Sequence, residues 1–450
     1  MSLSRGELAR RIVHVSCVAF ALLLRDLSWP QAALLALAAF VFNWQVLPRL
    51  FGRGMWRSAD VERGYPVGIL AYPLAVLALV LVFHGQLWMA AAGWGILAVG
   101  DGMAGLVGQL TGGRRLPWNP RKGWSGLVAF VGFGTAAAAF LTAWTLRLSL
   151  GRDAPHWPHT LGVAFALALV CALVESLPTT LDDNVTVPLA TVLTLPLLAS
   201  AEPALLASDP ALPRRFLVGL GVNAAIALAA FLARSIDRFG ALSAVAIGTA
   251  ITAGLGLGGL ALMIAFFVLG TAATKLGYRR KAARGIAQER GGARGWQNAW
   301  ANGGVPAALA LLAGMAPLGL RDMLGIAYAA SVATAAADTC SSEIGKAYGR
   351  RTFLITTLRP VPPGTEGAVS LEGTLAGVAG ALVVAGVGVA AGLFGWPAAL
   401  VVAAAGFVGS LAESVLGTVA EKRGWMDNNQ LNAANTAIGA LLAFALVRLL

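Results

Sequence analysis

Six short polar clusters interrupt an otherwise apolar sequence and carry the residue types that do chemistry. Asp101 lies in Gly100-Asp101-Gly102-Met103-Ala104, Glu175 in Glu175-Ser176-Leu177-Pro178, and Asp182-Asp183-Asn184 follows. Further on, Asp338 lies in Ala335-Ala336-Ala337-Asp338-Thr339, with Glu343 just beyond it; then come Glu413-Ser414 and Asp427-Asn428-Asn429. Carboxylates and amides are hard oxygen donors suited to Mg2+, which binds through a few protein carboxylates together with substrate phosphates. Basic residues stand beside the acids, as in Asn119-Pro120-Arg121-Lys122, and such cations neutralise phosphate charge. Phosphoryl transfer asks for little more than positioning, metal and cations. Glu175 and Glu413 are also candidates to accept the proton of a substrate hydroxyl. The chain has no Walker-type loop, so a nucleotide site here is of another kind.

The elements that position these groups are membrane helices. Of 450 residues 58% are hydrophobic and 12% charged, with a mean hydropathy of +0.74. Soluble domains run about 45–50% apolar and about 25% charged, so the excess apolar surface must face lipid. Apolar runs lie near 12–27, 30–48, 64–84, 86–110, 123–148, 160–180, 184–204, 213–233, 239–258, 260–277, 300–317, 319–338, 368–395, 397–420 and 433–450. A spanning helix needs about 20 such residues, which predicts an all-α integral membrane protein with about fifteen transmembrane helices. Small residues, as in 254–259 and 376–380, allow those helices to pack closely.

Charge gives an orientation. The net charge is +12, but the basic residues sit in short connections, which points to membrane topology and away from nucleic acid. The basic connections are 49–63 (Arg49, Arg53, Arg57, Arg63), 114–122 (Arg114, Arg115, Arg121, Lys122), 279–294 (Arg279, Arg280, Lys281, Arg284, Arg290, Arg294) and 346–359 (Lys346, Arg350, Arg351, Arg359). With a cytoplasmic N-terminus, all four fall on the cytoplasmic side of the cytoplasmic membrane, as do the acidic clusters. Arg147, Arg152, Arg214 and Arg215, with His84, His156 and His159, fall outside. Arg5, Arg10 and Arg11 precede the first run, which reads as an uncleaved helix rather than a signal peptide. Cys17, Cys171 and Cys340 fit no disulfide or metal spacing.

The acids recur in order. Asp101 and Glu175 are 74 residues apart, Asp338 and Glu413 are 75 apart, and an Asp/Asn cluster follows each pair. The number of spans between matched acids is also equal, which predicts a tandem duplication with both halves in the same orientation. Proline breaks at Pro203, Pro210 and Pro213 put the boundary near 205–212, giving halves 1–207 and 208–450.

Residues 1–207 resemble the phytol kinase and dolichol kinase group, distant relatives of phosphatidate cytidylyltransferase. The residues carrying this are Glu7-Leu8-Ala9-Arg10-Arg11-Ile12-Val13-His14, Gly100-Asp101-Gly102-Met103-Ala104, Asn119-Pro120-Arg121-Lys122, Glu175-Ser176-Leu177-Pro178 and Asp182-Asp183-Asn184. Residues 208–450 resemble the domain of unknown function 92 family, which includes plant phytyl-phosphate kinase. There the residues are Ala273-Thr274-Lys275, Asn302-Gly303-Gly304, Ala337-Asp338-Thr339, Ser342-Glu343-Ile344-Gly345, Pro363-Gly364-Thr365-Glu366-Gly367-Ala368-Val369-Ser370 and Gly409-Ser410-Leu411-Ala412-Glu413-Ser414. The resemblance implies a bifunctional enzyme that phosphorylates a prenol of the phytol or geranylgeraniol type to the monophosphate and then to the diphosphate, with CTP as donor. This sequence departs from the pattern at Arg11, where Lys is expected, at Gly123, where Ser or Thr is common, and at Glu413, where Asp is frequent.

On that basis Asp101, Lys122, Glu175, Asp338, Glu343 and Glu413 are the catalytic candidates. Arg11, His14, Asn119, Arg121, Lys122, Lys275, Asn302, Arg359, Gly364 and Ser370 are the nucleotide-binding candidates. Asp101, Asp182, Asp183, Asn184, Asp338, Asp427, Asn428 and Asn429 are the Mg2+ candidates. The partners implied are prenyl alcohol, prenyl monophosphate and membrane lipid, with no nucleic acid. Structural roles compete at each position: Asp182 and Asp427 suit helix N-caps, Lys122 suits a topogenic charge, and Glu175 and Glu413 suit interhelical hydrogen bonds. Two other functions share these features. A transporter or flippase also uses repeats and buried acids, and a cytidylyltransferase would transfer a nucleotidyl group to lipid.

Overall fold

The structure, a computed structural model, describes residues 5–51, 60–61, 64–148, 156–288, 295–421 and 426–448. Arg53, Arg57, Arg63, Arg152, Arg290 and Arg294 therefore lie outside the described residues. The fold is nearly all helical and divides into two compact units, 1–200 and 201–450. The division falls slightly before the 207/208 boundary expected from sequence. Among the described residues, ten helices are long and apolar enough to cross a membrane, and two shorter apolar helices accompany them. Leu34, Leu35, Leu217, Leu228, Leu232 and Leu400 are each more than half exposed. In water so many outward leucines would be a liability; they suit a lipid-facing surface.

In the first unit the helices are α1 (Arg5–Ser16), α2 (Trp29–Val41), α3 (Val67–Val82), α4 (Leu87–Gly95) and α5 (Gly102–Thr111). A two-stranded antiparallel ladder, β1 (Arg115–Leu116) with β2 (Asn119–Gly123), leads into α6 (Trp124–Thr145), α7 (Trp157–Glu175) and α8 (Asp183–Ala199). The expected first span, 12–27, is instead three short pieces: α1, a four-residue helix at Val18–Ala21 and a 3-10 turn at Leu22–Arg25. Its far end is tied to the C-terminal end of α6, where Trp144 Nε1 donates to the Leu22 carbonyl at 3.0 Å and Arg147 pairs with Asp26 at 2.6 Å. The rod Leu87–Thr111 is the unit's most enclosed span, whereas in Trp29–Leu50 only Ala32 and Ala36 are buried. Ala90, Ala91, Ala92 and Ala98 are small enough for neighbouring helices to close on it from several sides.

The second unit contains α9 (Pro203–Ala207), α10 (Leu212–Leu232), α11 (Arg238–Lys275), α12 (Tyr278–Ala283), α13 (Trp296–Gly314) and α14 (Leu318–Tyr348). Then come the antiparallel strands β3 (Thr352–Leu354) and β4 (Ala368–Ser370), followed by α15 (Leu371–Ala390), α16 (Trp396–Leu416) and α17 (Asn428–Val447). The predicted runs 239–258 and 260–277 are the two arms of α11, broken at Gly256 with φ 69° and ψ −164°. Only glycine tolerates that backbone at no cost. The chain reverses there: Phe267 packs in the same cluster as Ala244 and Val245. α14 is the central element: every residue from Leu324 to Ala337 is buried, and seven of the eleven from Ala327 to Ala337 are alanine. The predicted run 300–317 forms α13, whose first turns hold Gln297, Asn298 and Asn302; it is not among the ten candidate spans.

Candidate functional site

In the first unit the site forms where the central rod changes its winding. Ile96–Asp101 is a turn of π-helix, and Asp101 is its last residue. Such turns are rare and often mark functional positions, because they rotate one side chain out of the regular helical register. Val15 and His14 pack against Gly102. His14 Nε2 lies 2.9 Å from the Leu97 carbonyl oxygen and 3.6 Å from Asp101 Oδ2. Tyr72 meets the imidazole edge-on at 4.7 Å, and Trp94 Nε1 donates to the Tyr72 hydroxyl at 2.8 Å.

The β1–β2 hairpin is clamped to the C-terminal end of α7, whose last carbonyls lack helical partners. Asn119 Nδ2 donates to the Ser176 carbonyl and Trp118 Nε1 to Ser176 Oγ, both at 3.0 Å. Asn119 Oδ1 accepts the Arg121 backbone N–H at 3.1 Å. This clamp delivers Lys122, whose ammonium donates to both the Glu175 carboxylate and the Glu175 carbonyl and lies 3.7 Å from Asp183. Burial disfavours the charged ammonium, but the carboxylates of Glu175 and Asp183 outweigh it, so the Lys122 pKa stands above its ordinary value.

Asp183 is the first residue of α8, and Asp182 caps that helix by accepting the Asn184 backbone N–H at 3.0 Å. Carboxylate oxygens of Asp101, Glu175 and Asp183 all lie within 4.8 Å of one another. Among the described residues this is the one such group of three. Beside it, the buried Asn184 Oδ1 has no hydrogen-bond partner. Three hard oxygen donors and an orphaned amide oxygen, with a lysine alongside, fit a divalent cation and an anionic ligand.

In the second unit the candidates surround a cavity of about 420 Å3. Asp338, Glu343, Glu413, Asn302, Gly364, Ser370 and Asn428 all line it. Asp338 and Glu413 are within hydrogen-bond reach of each other. Ser370 caps α15, accepting the Gly373 N–H at 3.1 Å. The loop between β3 and β4 reaches the cavity through Gly364 and Gly367, both at positive φ. A Cβ on Gly367 would lie 2.6 Å from the Ser414 carbonyl oxygen, so only glycine allows that approach to α16.

The remaining candidates sit elsewhere. Lys275 is exposed at the end of α11 and Arg359 is exposed between the strands; neither lines the cavity. Asp427 forms a capping box with Gln430, and neither Asp427 nor Asn429 lines the cavity. Arg121 is exposed, and Arg11 packs along α5 against Gly105.

Several contributors are not among the candidates drawn from the sequence. Lys281 is fully buried and ion-paired with Glu343, and it donates to the carbonyls of Ala273 and Thr274 at 3.2 and 2.8 Å. Lys346, Glu366, Asn298 and Asn432 line the cavity, and Lys281 stands behind Glu343. Spacing could have found Asn432, which stands one helical turn from Asn428 on the same face.

The two sites share a local geometry. Each Asp-bearing helix is followed by a two-stranded ladder and then by a helix whose third residue is glycine, Gly126 or Gly373. A Cβ on Gly126 would lie 3.0 Å from the Ala104 carbonyl oxygen and 3.7 Å from Gly108 Cα. A Cβ on Gly373 would lie 2.6 Å from the Ser341 carbonyl oxygen and 3.2 Å from Gly345 Cα. Ala104 and Gly108 stand three and seven residues after Asp101, as Ser341 and Gly345 do after Asp338. Glu175 and Glu413 both lie in the last turn of the next helix, and Asp182 and Asp427 both cap the one after that.

The apolar helices and outward leucines define an integral membrane protein. The family model described as integral membrane protein DUF92 matches residues 221–440, and the chain belongs to that family. An uncharacterized membrane protein of Synechocystis is 43% identical over 201 residues, which is 44% of this chain and 78% of that protein. Protein VTE6, chloroplastic, of Arabidopsis thaliana is 36% identical over 217 residues, 47% of this chain and 65% of that protein. Phytol kinase 1, chloroplastic, of Arabidopsis thaliana is 36% identical over 128 residues, 28% of this chain and 41% of that protein. No solved structure matches the chain.

Proposed function

We propose that this protein is a membrane-embedded phosphotransferase that converts a prenyl alcohol to its monophosphate in the first unit and the monophosphate to the diphosphate in the second. The observation that carries the reading is the convergence of Asp101, Glu175 and Asp183 on one another beside Lys122. Similarity to proteins named phytol kinase supports it. So does an open apolar groove of about 740 Å3 lined by Val107, Trp124, Val128, Gly132, Phe133 and Ala136. Trp124 and Ser125 at one end of that groove stand two and three residues after Lys122 in sequence. An isoprenoid tail lying along α6 therefore brings its hydroxyl to the charged cluster.

In the first reaction the hydroxyl oxygen attacks the γ-phosphorus of a nucleoside triphosphate, which we assign as CTP. A new P–O bond forms, the bridging P–O bond to the β-phosphate breaks, and the nucleoside diphosphate leaves. A carboxylate of the Asp101–Glu175–Asp183 group takes the hydroxyl proton. Lys122, held charged by its acidic neighbours, faces the transferring phosphoryl group. Mg2+ held by Asp101, Glu175 and Asp183 would supply charge neutralisation of the donor phosphates. In the second unit Asp338 and Glu413 are the corresponding acids, with Lys346 beside them. Both sites face the cytoplasm in this reading, where the basic connections lie.

Incubation of purified protein with γ-labelled CTP and geranylgeraniol tests the proposal. Label in the lipid is the expected result. Label released only in pyrophosphate would assign nucleotidyl transfer instead, and lipid movement without label would assign transport.

A further inference from the structure

Three helix-borne acids of the first unit, Asp101, Glu175 and Asp182, have counterparts in Asp338, Glu413 and Asp427, whereas Glu343 falls where the first unit has Leu106 and a further position changes from acid to amide. Asp182 and Asp427 each cap a helix, and the next residue is the first of that helix: Asp183 in one unit, Asn428 in the other. Asp183 completes the group with Asp101 and Glu175, and Asn428 lines the cavity with Asp338 and Glu413. The third carboxylate of the first site is thus a neutral amide in the second. The cation also stands elsewhere: Lys346, on the Asp338 helix, falls where the first unit has Gln109, while Lys122 of the first site falls where the second unit has Val369. Glu366, on the β3–β4 loop, is the remaining acid lining the cavity besides Glu343, which is already paired with Lys281.

We infer that position 183/428 sets which acceptor each site takes: a carboxylate there selects a neutral alcohol, and an amide there, with Lys346, admits a phosphate monoester. The inference rests on the two-step reading above and adds its specificity element. The chemistry of the two transfers asks for this difference. An alcohol must lose a proton as the new P–O bond forms, so an additional carboxylate serves as proton acceptor. A monophosphate attacks through an oxygen that is already anionic; its new P–O bond forms to the γ-phosphorus, the β–γ bridging bond breaks, the nucleoside diphosphate leaves, and no proton need move. For that acceptor a further carboxylate at this helix start offers no base function and repels the incoming phosphate, because like charges a few ångströms apart raise each other's energy. The amide at 428 keeps an oxygen donor and removes the charge.

Equilibrium binding of radiolabelled geranylgeranyl monophosphate to the full chain in nanodiscs tests this without requiring transfer. Asn428→Asp should weaken monophosphate binding by roughly ten- to a hundredfold, while the neutral Asn428→Ser weakens it much less. Adding Asp183→Asn with Gln109→Lys to the Asn428→Asp chain should restore a monophosphate site. Equal losses for Asn428→Asp and Asn428→Ser would show that an amide contact, not charge, is what matters, and would overturn the inference. So would unchanged binding in Asn428→Asp, or no recovery with Asp183→Asn and Gln109→Lys together. If these binding shifts appear but the wild-type chain transfers no label from γ-labelled CTP, the acceptor assignment stands and the phosphotransfer reading fails.

Discussion

The most unusual single residue is Lys281. It is wholly buried, paired with Glu343, and bonded to two carbonyls at the end of α11. Gly277, at φ 64°, turns the chain back so that this lysine meets the carbonyls one element earlier. It thereby serves as a cationic cap for α11, the charge that a helix C-terminus favours. Removing one partner of a buried pair leaves the other charge uncompensated, at a cost of about 3–5 kcal/mol. Lys281→Met should therefore lower the unfolding temperature of the purified protein markedly, and Lys281→Met combined with Glu343→Leu should recover much of the loss. Both are measurable by thermal unfolding in detergent. Neighbouring Lys275, which the sequence resemblance singled out, is exposed, and its replacement by Met should leave that temperature nearly unchanged. Sequence could not tell these two lysines apart: both belong to basic, poorly patterned chain, and only the left-handed turn at Gly277 decides which one is buried. Asp101, Glu175 and Asp338 were legible because a carboxylate in an apolar run is costly enough to need a reason, about 2.5–3.5 kcal/mol at the bilayer centre.

At the scale of elements, the sites depend on short pieces that hydropathy does not reveal. The π-turn ahead of Asp101 and the β1–β2 clamp on α7 place Asp101 and Lys122. Neither has a periodic apolar signature, so the sequence shows the residues without showing what holds them. Most of the long runs were legible, because each is a continuous apolar stretch with the helical length a bilayer demands. The run 12–27 was misread because hydropathy does not register the break at Cys17 that divides it. The groove along α6 belongs to this scale as well. Nothing lies within 4 Å of where a Gly132 Cβ would sit, so Gly132→Phe fills the groove without disturbing the packing behind it. The expected outcome is a KM for geranylgeraniol raised about tenfold or more, with little change for a five-carbon prenol, since each buried methylene is worth about 0.8 kcal/mol. Equal effects on long and short prenols in a steady-state assay would move the tail elsewhere.

At the scale of the whole molecule, the account has two similar sites on one side of a membrane. Arg121 is exposed on the β1–β2 hairpin, and in the proposed orientation it faces the cytoplasm. In a Cys17→Ser background, where the two remaining cysteines are buried, Arg121→Cys should react with a membrane-impermeant maleimide in inverted vesicles and not in intact cells. Labelling from outside intact cells would reverse the proposed orientation. Similarity to kinases by name points to one chemistry, but the division of labour between the units is the account's own. Its most direct test is the purified full chain carrying Asp101→Asn or Asp338→Asn, assayed for γ-phosphate transfer to geranylgeraniol and to geranylgeranyl monophosphate separately. The account predicts that Asp101→Asn loses roughly a hundredfold or more of the first transfer only, and Asp338→Asn a similar share of the second only. Both substitutions leaving both transfers intact would contradict it.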